Sequence, residues 1–409
     1  MSAADSADRG AGGDEELRYL RSPRAIRDRC EAIYAMARRG ELRHWTVNES
    51  QLDPIARRVA QTTRAAYPDV RAIPGHSRWR HFSAGGVDRA RAFDERLEAL
   101  PEDERLAARF DLVITSVLLD AGAGDQWRYR DAGGQTYSRS EGIAVASYDL
   151  FVAGAFSSDP DRAPLRADAA ALERATPLFL GRGLQVDEDN PMIGVEGRAA
   201  LLQRLGAAVR AQPEWGGRLG GFGIQLRRTA RSGQIPAAEL LGAVLEALGS
   251  IWPGREVCAG QNLGDVWTHG AAGRVPLHKL SQWLTYSLFE PLERAGVTIG
   301  APGELTGLAE YRNGGLFVDG GALVPRHEGV LRDEHEVSSD VVIEWRALTL
   351  ALIDRTAERV RGVLGLSADE LPLAKVLEGG TWRAGRELAA EKRPGGGPPL
   401  RVRSDGTVF

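Results

Sequence analysis

Cysteine is scarce in this chain, and its two occurrences, Cys30 and Cys258, lie far apart. Neither belongs to a CxxC pair, so the sequence predicts neither a disulfide framework nor a thiolate metal site. Lysine is almost as scarce: Lys279, Lys375 and Lys392 are the only examples, and arginine supplies nearly all of the positive charge. The net charge of −4 over 409 residues gives no basic field of the kind that binds nucleic acid.

Long apolar runs are missing as well. No window approaches the roughly 18 uninterrupted apolar residues of a membrane-spanning helix. The first residues, MSAADSADRGAGGDEE, are polar and acidic, and they lack the basic and apolar regions of a signal peptide. With a hydrophobic fraction of 43%, these features predict a folded, soluble, cytoplasmic protein without a membrane partner. The sequence does not indicate its oligomeric state.

Several catalytic motifs are also absent. The chain has no GxxxxGK[ST] loop, no GxGxxG after a strand and no GxSxG elbow. Its 7 histidines are scattered, without HxH or HExxH. The segment RDEHEV places Asp333, Glu334, His335 and Glu336 together, and we interpret it as a solvated charged loop rather than a metal site. We predict no metal and no other cofactor.

Helical patterns dominate what is present. SPRAIRDRCEAIYAMARRG offers Ser22 as N-cap, Pro23 at the first helical position and Gly40 as the stop. Amphipathic or apolar segments predict further helices within 48–68, 110–124, 138–156, 189–213, 235–253, 276–296, 338–365 and 367–397. Ser140 is the predicted cap of the helix within 138–156. Strand signals are limited to 314–325 and 399–409, the latter with a tight turn at Asp405-Gly406.

The predicted fold is therefore mainly α and multi-helical, with a small β addition. The composition of residues 1–16 predicts a disordered N-terminal tail. Residues 17–409 are predicted to form one large helical unit. The glycine-rich stretch WGGRLGGFG (215–223) could divide that unit into two lobes, 17–220 and 224–409.

One candidate site is LTGLAEYRNGGLFVDGGAL, in which four polar residues adjoin: Glu310, Tyr311, Arg312 and Asn313. A carboxylate beside an arginine and an amide stays ionised below neutral pH. Such a carboxylate can stabilise an oxocarbenium cation or take a proton from an attacking water. The following Gly314-Gly315 could let a ligand approach the backbone. The alternative is a structural Glu–Arg pair at a helix end with a glycine cap.

A second candidate is PGHSRWRHFSAGGVDR (74–89), in which Arg78, Trp79 and Arg80 adjoin. Arginines at this density could hold a phosphate, although an irregular surface loop with one anchoring tryptophan explains them equally well. Trp127, which follows a buried helix, could stack on a sugar or base, or pack in the core. Lys279, on the amphipathic helix LHKLSQWL, is either a ligand contact or a surface lysine.

Nine segments in order resemble one known family. They include HSRWRHFSAGGVDR, SVLLDAGAGDQWRYRD, VDEDNPMIGVEGRAALLQRLG, LTGLAEYRNGGLFVDGGAL and LPLAKVLEGGTWRAGRELA. From about Leu17 to Phe409, the chain resembles the uracil-catabolism family that forms the fourth protein of the URC pathway, a former domain of unknown function. The resemblance implies a place in that pathway, in which a uracil nucleotide is opened and urea is released. It does not by itself assign the step.

A more distant resemblance suggests the step. The order LHKLSQWL, LTGLAEYRNGGLF, IEWRALTL is similar to that of the queuosine salvage nucleosidases, helical proteins with a DNA-glycosylase-like fold. It implies that Glu310 is the catalytic carboxylate and that Lys279 and Arg312 match functional positions. That family has aspartate where this chain has Glu310, and Asn313-Gly314-Gly315 has no counterpart there.

The combined prediction is an N-glycoside hydrolase that acts on a small nucleoside- or nucleotide-like substrate. The proposed reaction splits a ribosylurea, as the 5′-phosphate, into urea and ribose phosphate. Glu310 and Arg312 are the predicted catalytic residues. The predicted substrate contacts are Tyr311, Asn313, Lys279, Arg78, Trp79, Arg80 and Trp127. Two alternatives stay open: a metal- or thiol-dependent ureide hydrolase using Cys258, and a non-catalytic scaffold of the pathway.

Overall fold

The computed structural model describes residues 3–124, 126–252 and 254–403. The chain is mainly α with a small β addition, which confirms the predicted fold class. The α-helices are α1 Ala3–Leu20, α2 Pro23–Arg38, α3 Leu52–Ala66, α4 Arg78–His81, α5 Arg89–Leu97, α6 Glu102–Leu118, α7 Arg139–Val152, α8 Ala169–Glu173, α9 Pro177–Gly183, α10 Val195–Arg210, α11 Gly221–Thr229, α12 Ala237–Leu248, α13 Lys279–Arg294, α14 Tyr311–Asp319, α15 Gly329–Arg332, α16 Asp340–Leu364, α17 Leu373–Val376 and α18 Trp382–Lys392.

The strands are short and pair two by two. They are β1 Trp45–Val47, β2 Tyr129–Arg130, β3 Thr136–Tyr137, β4 Gln234–Pro236, β5 Val257–Cys258, β6 Gln261–Asn262, β7 Val266–His269, β8 Gly273–Pro276, β9 Thr298–Gly300, β10 Leu323–Pro325, β11 Glu334–Glu336 and β12 Arg401–Arg403. The pairs β1–β10, β2–β3, β5–β6 and β7–β8 are antiparallel, and β4–β9 and β11–β12 are parallel. No large sheet is formed by the described residues, so the helices carry the core.

The chain forms two compact units from separate stretches. Unit 1 contains Met1–His76, Gly254–Gln282 and Ala301–Arg403, and unit 2 contains Ser77–Pro253 and Trp283–Gly300. The stretch 215–223, predicted as a crossing between lobes, lies inside unit 2. Gly220 serves close packing there, because a Cβ on it would lie 2.3 Å from the carbonyl oxygen of Ala107 in α6, whereas Gly216 and Gly217 have positive φ and open space where a Cβ would lie.

Unit 1 is built around α16, which packs on α2, α3 and α14. Every residue from Val341 to Ile353 is buried, as expected of a helix surrounded by protein. Helix α2 begins as predicted, since the Ser22 hydroxyl accepts from the backbone N–H of Ala25 at 3.1 Å. Helix α18 lies so close to α14 that a Cβ on Gly385 would be 2.2 Å from the Arg312 carbonyl oxygen.

Unit 2 is built around α6, whose residues from Leu106 to Leu118 are all buried and which packs on α7 and α11. The cap predicted for α7 is wrong by two residues. Ser138 occupies the N-cap position, and Ser140 lies inside the helix with its hydroxyl donating to Asp120 at 3.1 Å. The sequence pattern could not separate these two serines, because each is followed by helix-forming residues.

The structure describes regular secondary structure near both ends of the chain. Helix α1 covers most of the segment predicted as a tail, and its end is held by Leu17 and Leu20 in a cluster with Cys258, Leu263 and Val266. The predicted C-terminal strand is β12, and the turn predicted at Asp405-Gly406 lies outside the described residues.

Two other predictions need correction. The apolar run Leu316–Val318 belongs to α14, and only Leu323–Pro325 of the predicted strand is extended. The carboxylate residues of RDEHEV are exposed, as predicted, but the segment is not a loop. It contains strand β11, which pairs with β12 and whose Glu334 and Glu336 both contact Arg403. No described helix is both long and apolar enough to cross a membrane.

Candidate functional site

Glu310 is the N-cap of α14. Its Oε2 accepts from the backbone N–H of Arg312 at 2.7 Å, and its Oε1 accepts from that of Asn313 at 2.6 Å. Both bonds satisfy N–H groups that have no partner inside the helix. Glutamate is an unusual cap, since Ser, Thr, Asp and Asn are preferred there. The two bonds fix the carboxylate at the positive end of the helix while leaving lone pairs on each oxygen for a ligand.

Burial and nearby positive charges shift the pKa of the Glu310 carboxyl in opposite directions. The residue is 7% exposed, and burial raises the pKa of its carboxyl because it disfavours the charged form. The two backbone N–H bonds, followed by the charges of Lys279 and Arg312, offset part of this effect. A carboxylate with a raised pKa is a stronger base, which suits it to accept a proton from water.

Lys279, the first residue of α13, is brought to this site by Asp265. The Lys279 backbone N–H donates to Asp265 Oδ2 at 2.9 Å, and the Asp265 carbonyl accepts from the N–H groups of Leu277 and His278. His278, next to Lys279, has a φ of +44°, a conformation that costs a non-glycine residue free energy and recurs at functional sites. The start of α13 is therefore held by one aspartate.

Asp265 also forms an ion pair inside unit 1. Its two carboxylate oxygens accept from the two terminal nitrogens of Arg346 at 2.7 Å each, and Trp267 donates to Oδ1 at 2.6 Å. Burial by itself would raise the pKa of Asp265, but Arg346 and the other donors outweigh it and hold the pKa below its usual range. Arg346 Nε donates further to the carbonyl of Ala309 at 3.1 Å, which connects Asp265 to the residue before Glu310.

The residues around Glu310 differ in part from their predicted roles. Arg312 contributes its backbone N–H to the carboxylate, while its guanidinium donates to the Gly396 carbonyl at 2.6 Å and lies 4.8 Å from the Tyr311 ring centre. Gly314 makes room for protein and not for a ligand, because a Cβ there would lie 2.6 Å from the indole of Trp345. The alternative interpretation is thus correct in placing Glu310 at a helix end, but the Arg312 guanidinium bonds to Gly396 and not to the Glu310 carboxylate.

Asn313 is buried beside Glu310, with 1% of its surface exposed. Its Nδ2 donates to the carbonyl of Leu308 at 3.2 Å. Its Oδ1 has no hydrogen-bond partner among residues 3–124, 126–252 and 254–403. Unit 1 therefore brings together Glu310, Asn313 and the charge of Lys279, which lie in two separate candidate segments of the sequence.

Arg78 lies in unit 2 and has no exposed surface. Its Nε donates to the Ser116 hydroxyl at 2.6 Å, and one terminal nitrogen donates to Asp120 at 2.6 Å. These bonds explain its burial, because a charge is buried only when it is paired. Phosphate binding by Arg78 stays a prediction, and the contacts described in unit 2 are structural.

The other aromatic and basic residues predicted from the second candidate also have protein partners in unit 2. Trp79 is 4% exposed and donates to the Ser287 carbonyl at 2.9 Å. Arg80 is half-buried and pairs with Glu290. Trp127 has no exposed surface and donates to the Leu184 carbonyl at 2.8 Å. Of the two interpretations given for Trp127, packing in the core describes it.

The surroundings of Cys258 are not those of a typical reactive cysteine. Cys258 is buried, and its sulfur lies 3.5 Å from the Gly13 carbonyl oxygen and 3.7 Å from a carboxylate oxygen of Glu16. Reactive cysteines are partly exposed and lie in electropositive surroundings, whereas the buried Cys258 is influenced by the charge of Arg274 but lies directly beside two acceptor oxygens. In the described residues, no group of three or more His, Cys, Asp or Glu side chains is arranged to hold a metal ion.

Sequence reasoning missed Asp265 and Gln282. Asp265 lies in NLGDVWTHG, which matches no motif, and its partner Arg346 is 81 positions away. Gln282 follows Lys279 by one helical turn and looks like any polar residue on an amphipathic helix. The one available signal for Gln282 was Lys279, a rare lysine in this chain, since a residue one turn away on the same helix face lies beside it.

Comparison with known proteins identifies the family of this chain. Residues 19–409 match the family model described as "Protein of unknown function (DUF1688)". The protein named "Protein urg3" from Schizosaccharomyces pombe is 40% identical over 403 residues, which cover 97% of this chain and 99% of that protein. The protein named "Uracil catabolism protein 4" from Lachancea kluyveri is 34% identical over 440 residues, with the same shares covered. The chain therefore belongs to the DUF1688 family, which confirms the family that its sequence resembled.

Proposed function

We propose that this protein takes part in uracil catabolism by hydrolysing the N-glycosidic bond of a ribosylurea, in the free form or as the 5′-phosphate. The observation that carries the proposal is the Glu310 carboxylate, buried and held by two backbone N–H groups beside the charge of Lys279. The name of the Lachancea kluyveri relative, which refers to uracil catabolism, supports the pathway. The order of Lys279, Glu310 and Arg312, similar to that of nucleosidases, supports the reaction type.

The reaction needs one carboxylate and one water. As the bond between C1′ and nitrogen breaks, positive charge develops on the ribosyl carbon, and the Glu310 carboxylate stabilises it. Water adds to C1′, so that its oxygen becomes the anomeric hydroxyl and its proton passes to Glu310. The electron pair of the broken bond stays on the departing nitrogen, which takes up a proton from solvent and leaves as neutral urea. Glu310 then returns the proton it received from water to solvent. Overall one water is consumed, and no group is oxidised or reduced.

The surrounding residues have distinct tasks in this scheme. Asp265 and Arg346 hold the backbone on both sides of the site, through the N–H of Lys279 and the carbonyl of Ala309. Lys279 supplies a positive charge that suits a substrate phosphate. Arg312 orients the carboxylate through its backbone N–H.

The direct test is incubation of the purified protein with ribosylurea, its 5′-phosphate and UMP, followed by measurement of urea and reducing sugar. We expect stoichiometric urea and ribose or ribose phosphate from one ribosylurea form and no product from UMP. The matched control is Asp88→Asn, which changes another carboxylate N-cap, that of α5 in unit 2, and should leave activity unchanged. If urea is released neither from ribosylurea nor from its 5′-phosphate, the proposed reaction is excluded.

The pH dependence should report the burial of Glu310. The reaction needs the ionised carboxylate, so activity is lost as pH falls through its pKa. Because burial raises that pKa, the acid limb of kcat/KM should have its midpoint above the ordinary glutamate value of about 4.3. The measurement is kcat/KM between about pH 4 and pH 8. The same limb in the residual activity of Glu310→Gln would assign it to another group and contradict this expectation.

A further inference from the structure

Two carboxamide oxygens in unit 1 are buried without a hydrogen-bond partner in the part of the chain that the structure describes: Oδ1 of Asn313 and Oε1 of Gln282. Asn313 is 1% exposed and Gln282 has no exposed surface. A buried acceptor without a donor is unfavourable, because it has given up its hydrogen bonds to water without replacement. Since buried polar groups in native proteins are nearly always paired, both oxygens require an explanation.

The orientation of the Asn313 amide is fixed by its partner. Nδ2 donates to the carbonyl oxygen of Leu308, and a carbonyl oxygen can only accept. Turning the amide over would place two acceptors against each other, so Oδ1 must be the atom that lacks a donor.

The Gln282 amide is fixed in the same way. Nε2 donates to the Thr306 hydroxyl at 3.0 Å, and that hydroxyl donates to the Gly307 carbonyl at 3.1 Å. With the hydroxyl proton directed at Gly307, the hydroxyl oxygen is an acceptor for Gln282. Oε1 of Gln282 is thereby left as the second free acceptor.

Both amides belong to the surroundings of Glu310. Their partners Thr306 and Leu308 lie in the irregular segment that leads directly into Glu310. Asn313 is in the first turn of α14, and its N–H binds the carboxylate. Gln282 lies one turn after Lys279 on the same face of α13, and the charge of Lys279 acts on Glu310.

We propose that Gln282 Oε1 and Asn313 Oδ1 accept hydrogen bonds from the N–H groups of the leaving group, and that Gln282 is a specificity-determining residue. This inference rests on the proposed function and names what the site selects. Two acceptors match a ureido group, whose terminal NH2 and inner N–H are donors. They repel a leaving group that presents carbonyl oxygens or ring nitrogens at the same positions, since acceptor would face acceptor.

The sharpest test compares ribosylurea with N-ribosylacetamide, in which a methyl group replaces the terminal NH2 at nearly the same size. The wild-type protein should favour ribosylurea in kcat/KM by about tenfold to hundredfold for each oxygen that loses its donor. Gln282→Met keeps the length of the side chain and removes the acceptor. It should reduce that preference at least tenfold, mainly by slowing ribosylurea cleavage, whereas the control Gln203→Met should keep it.

Two results would overturn the inference. One is a wild-type protein that does not distinguish the two ribosides, a measurement that does not depend on the folding of any variant. The other is a Gln282→Met variant, folded by circular dichroism, that changes both rates by the same factor, as a purely structural role would.

Binding measurements by calorimetry separate this inference from the proposed function. Binding of ribosylurea without hydrolysis, tighter than that of N-ribosylacetamide and dependent on Gln282, would support the recognition of donors and exclude only the reaction. Absence of ribosylurea binding would overturn the inference itself.

Discussion

Replacement of Glu310 by glutamine is expected to lower kcat by about 10²–10⁴-fold, the usual contribution of a positioned acid–base group. Glutamine fills the same volume but carries no charge to stabilise a ribosyl cation. The folded state should survive, because the loss of one capping bond costs about 1 kcal/mol and removal of a charge that burial disfavours offsets it. Urea release and the thermal midpoint, measured on the same samples, check both expectations.

The Glu310→Asp variant separates catalysis from capping. Aspartate is a preferred N-cap, so α14 should begin as in the native protein. The carboxylate would retreat by about one carbon–carbon bond, roughly 1.5 Å, and a displacement of this size at a reacting group can cost about 10²-fold in rate. We therefore expect a stable protein with strongly reduced activity. An Asp variant as active as the native protein would show that Glu310 only caps the helix.

Asp265→Asn should have the largest effect on stability. It leaves the Arg346 guanidinium, 1% exposed, without its carboxylate partner, and removing one member of a buried pair costs about 3–5 kcal/mol. Unfolding by guanidinium chloride measures the loss, and the exposed i,i+4 pair of Arg91 and Glu95 supplies the control. Glu95→Gln should change stability by no more than about 0.5 kcal/mol. Equal effects of the two substitutions would contradict the role assigned to Asp265.

The same aspartate has a defined pH window. Its pKa in the folded state is below that in the unfolded state, so its stabilisation is fully present above the unfolded value of about 3.9 and is lost as pH falls through the folded value. Glu310 acts in the opposite direction. Its pKa is raised on folding, so its contribution is present below the unfolded value and is lost as pH rises. Of these two carboxylates, one therefore stabilises the fold at neutral pH and the other does not.

Much of the helical structure could be predicted from local chemistry. Ser22 and Pro23 mark the start of α2 because capping and φ preferences act within a few residues. The apolar run at 316–318 was predicted as part of a strand, although it belongs to α14, because a short apolar run fits both periods. The helical state of this run is consistent with the N-cap at Glu310 and with the close packing of Gly314 on Trp345. Neither feature contributes to the spacing of apolar residues, so the sequence pattern does not show it.

The candidate site was predictable only where its residues adjoin in the chain. Glu310, Arg312 and Asn313 lie next to one another, and the structure brings the charge of Lys279 to them. Asp265 and Gln282 act through partners in other segments, so no spacing rule could find them. Arg78 and Trp127 have the composition of a binding loop, but their partners within unit 2 account for their burial.

The close approach of α14 and α18 restricts which residues can occupy position 385. The missing side chain of Gly385 lets α18 touch the carbonyl of Arg312, the residue whose N–H holds Glu310. Any bulk at position 385 would press on the first turn of α14 and shift the carboxylate. A helix near the end of the described chain, with no reactive group assigned to it, thereby sets the position of the carboxylate that is proposed to stabilise the ribosyl cation.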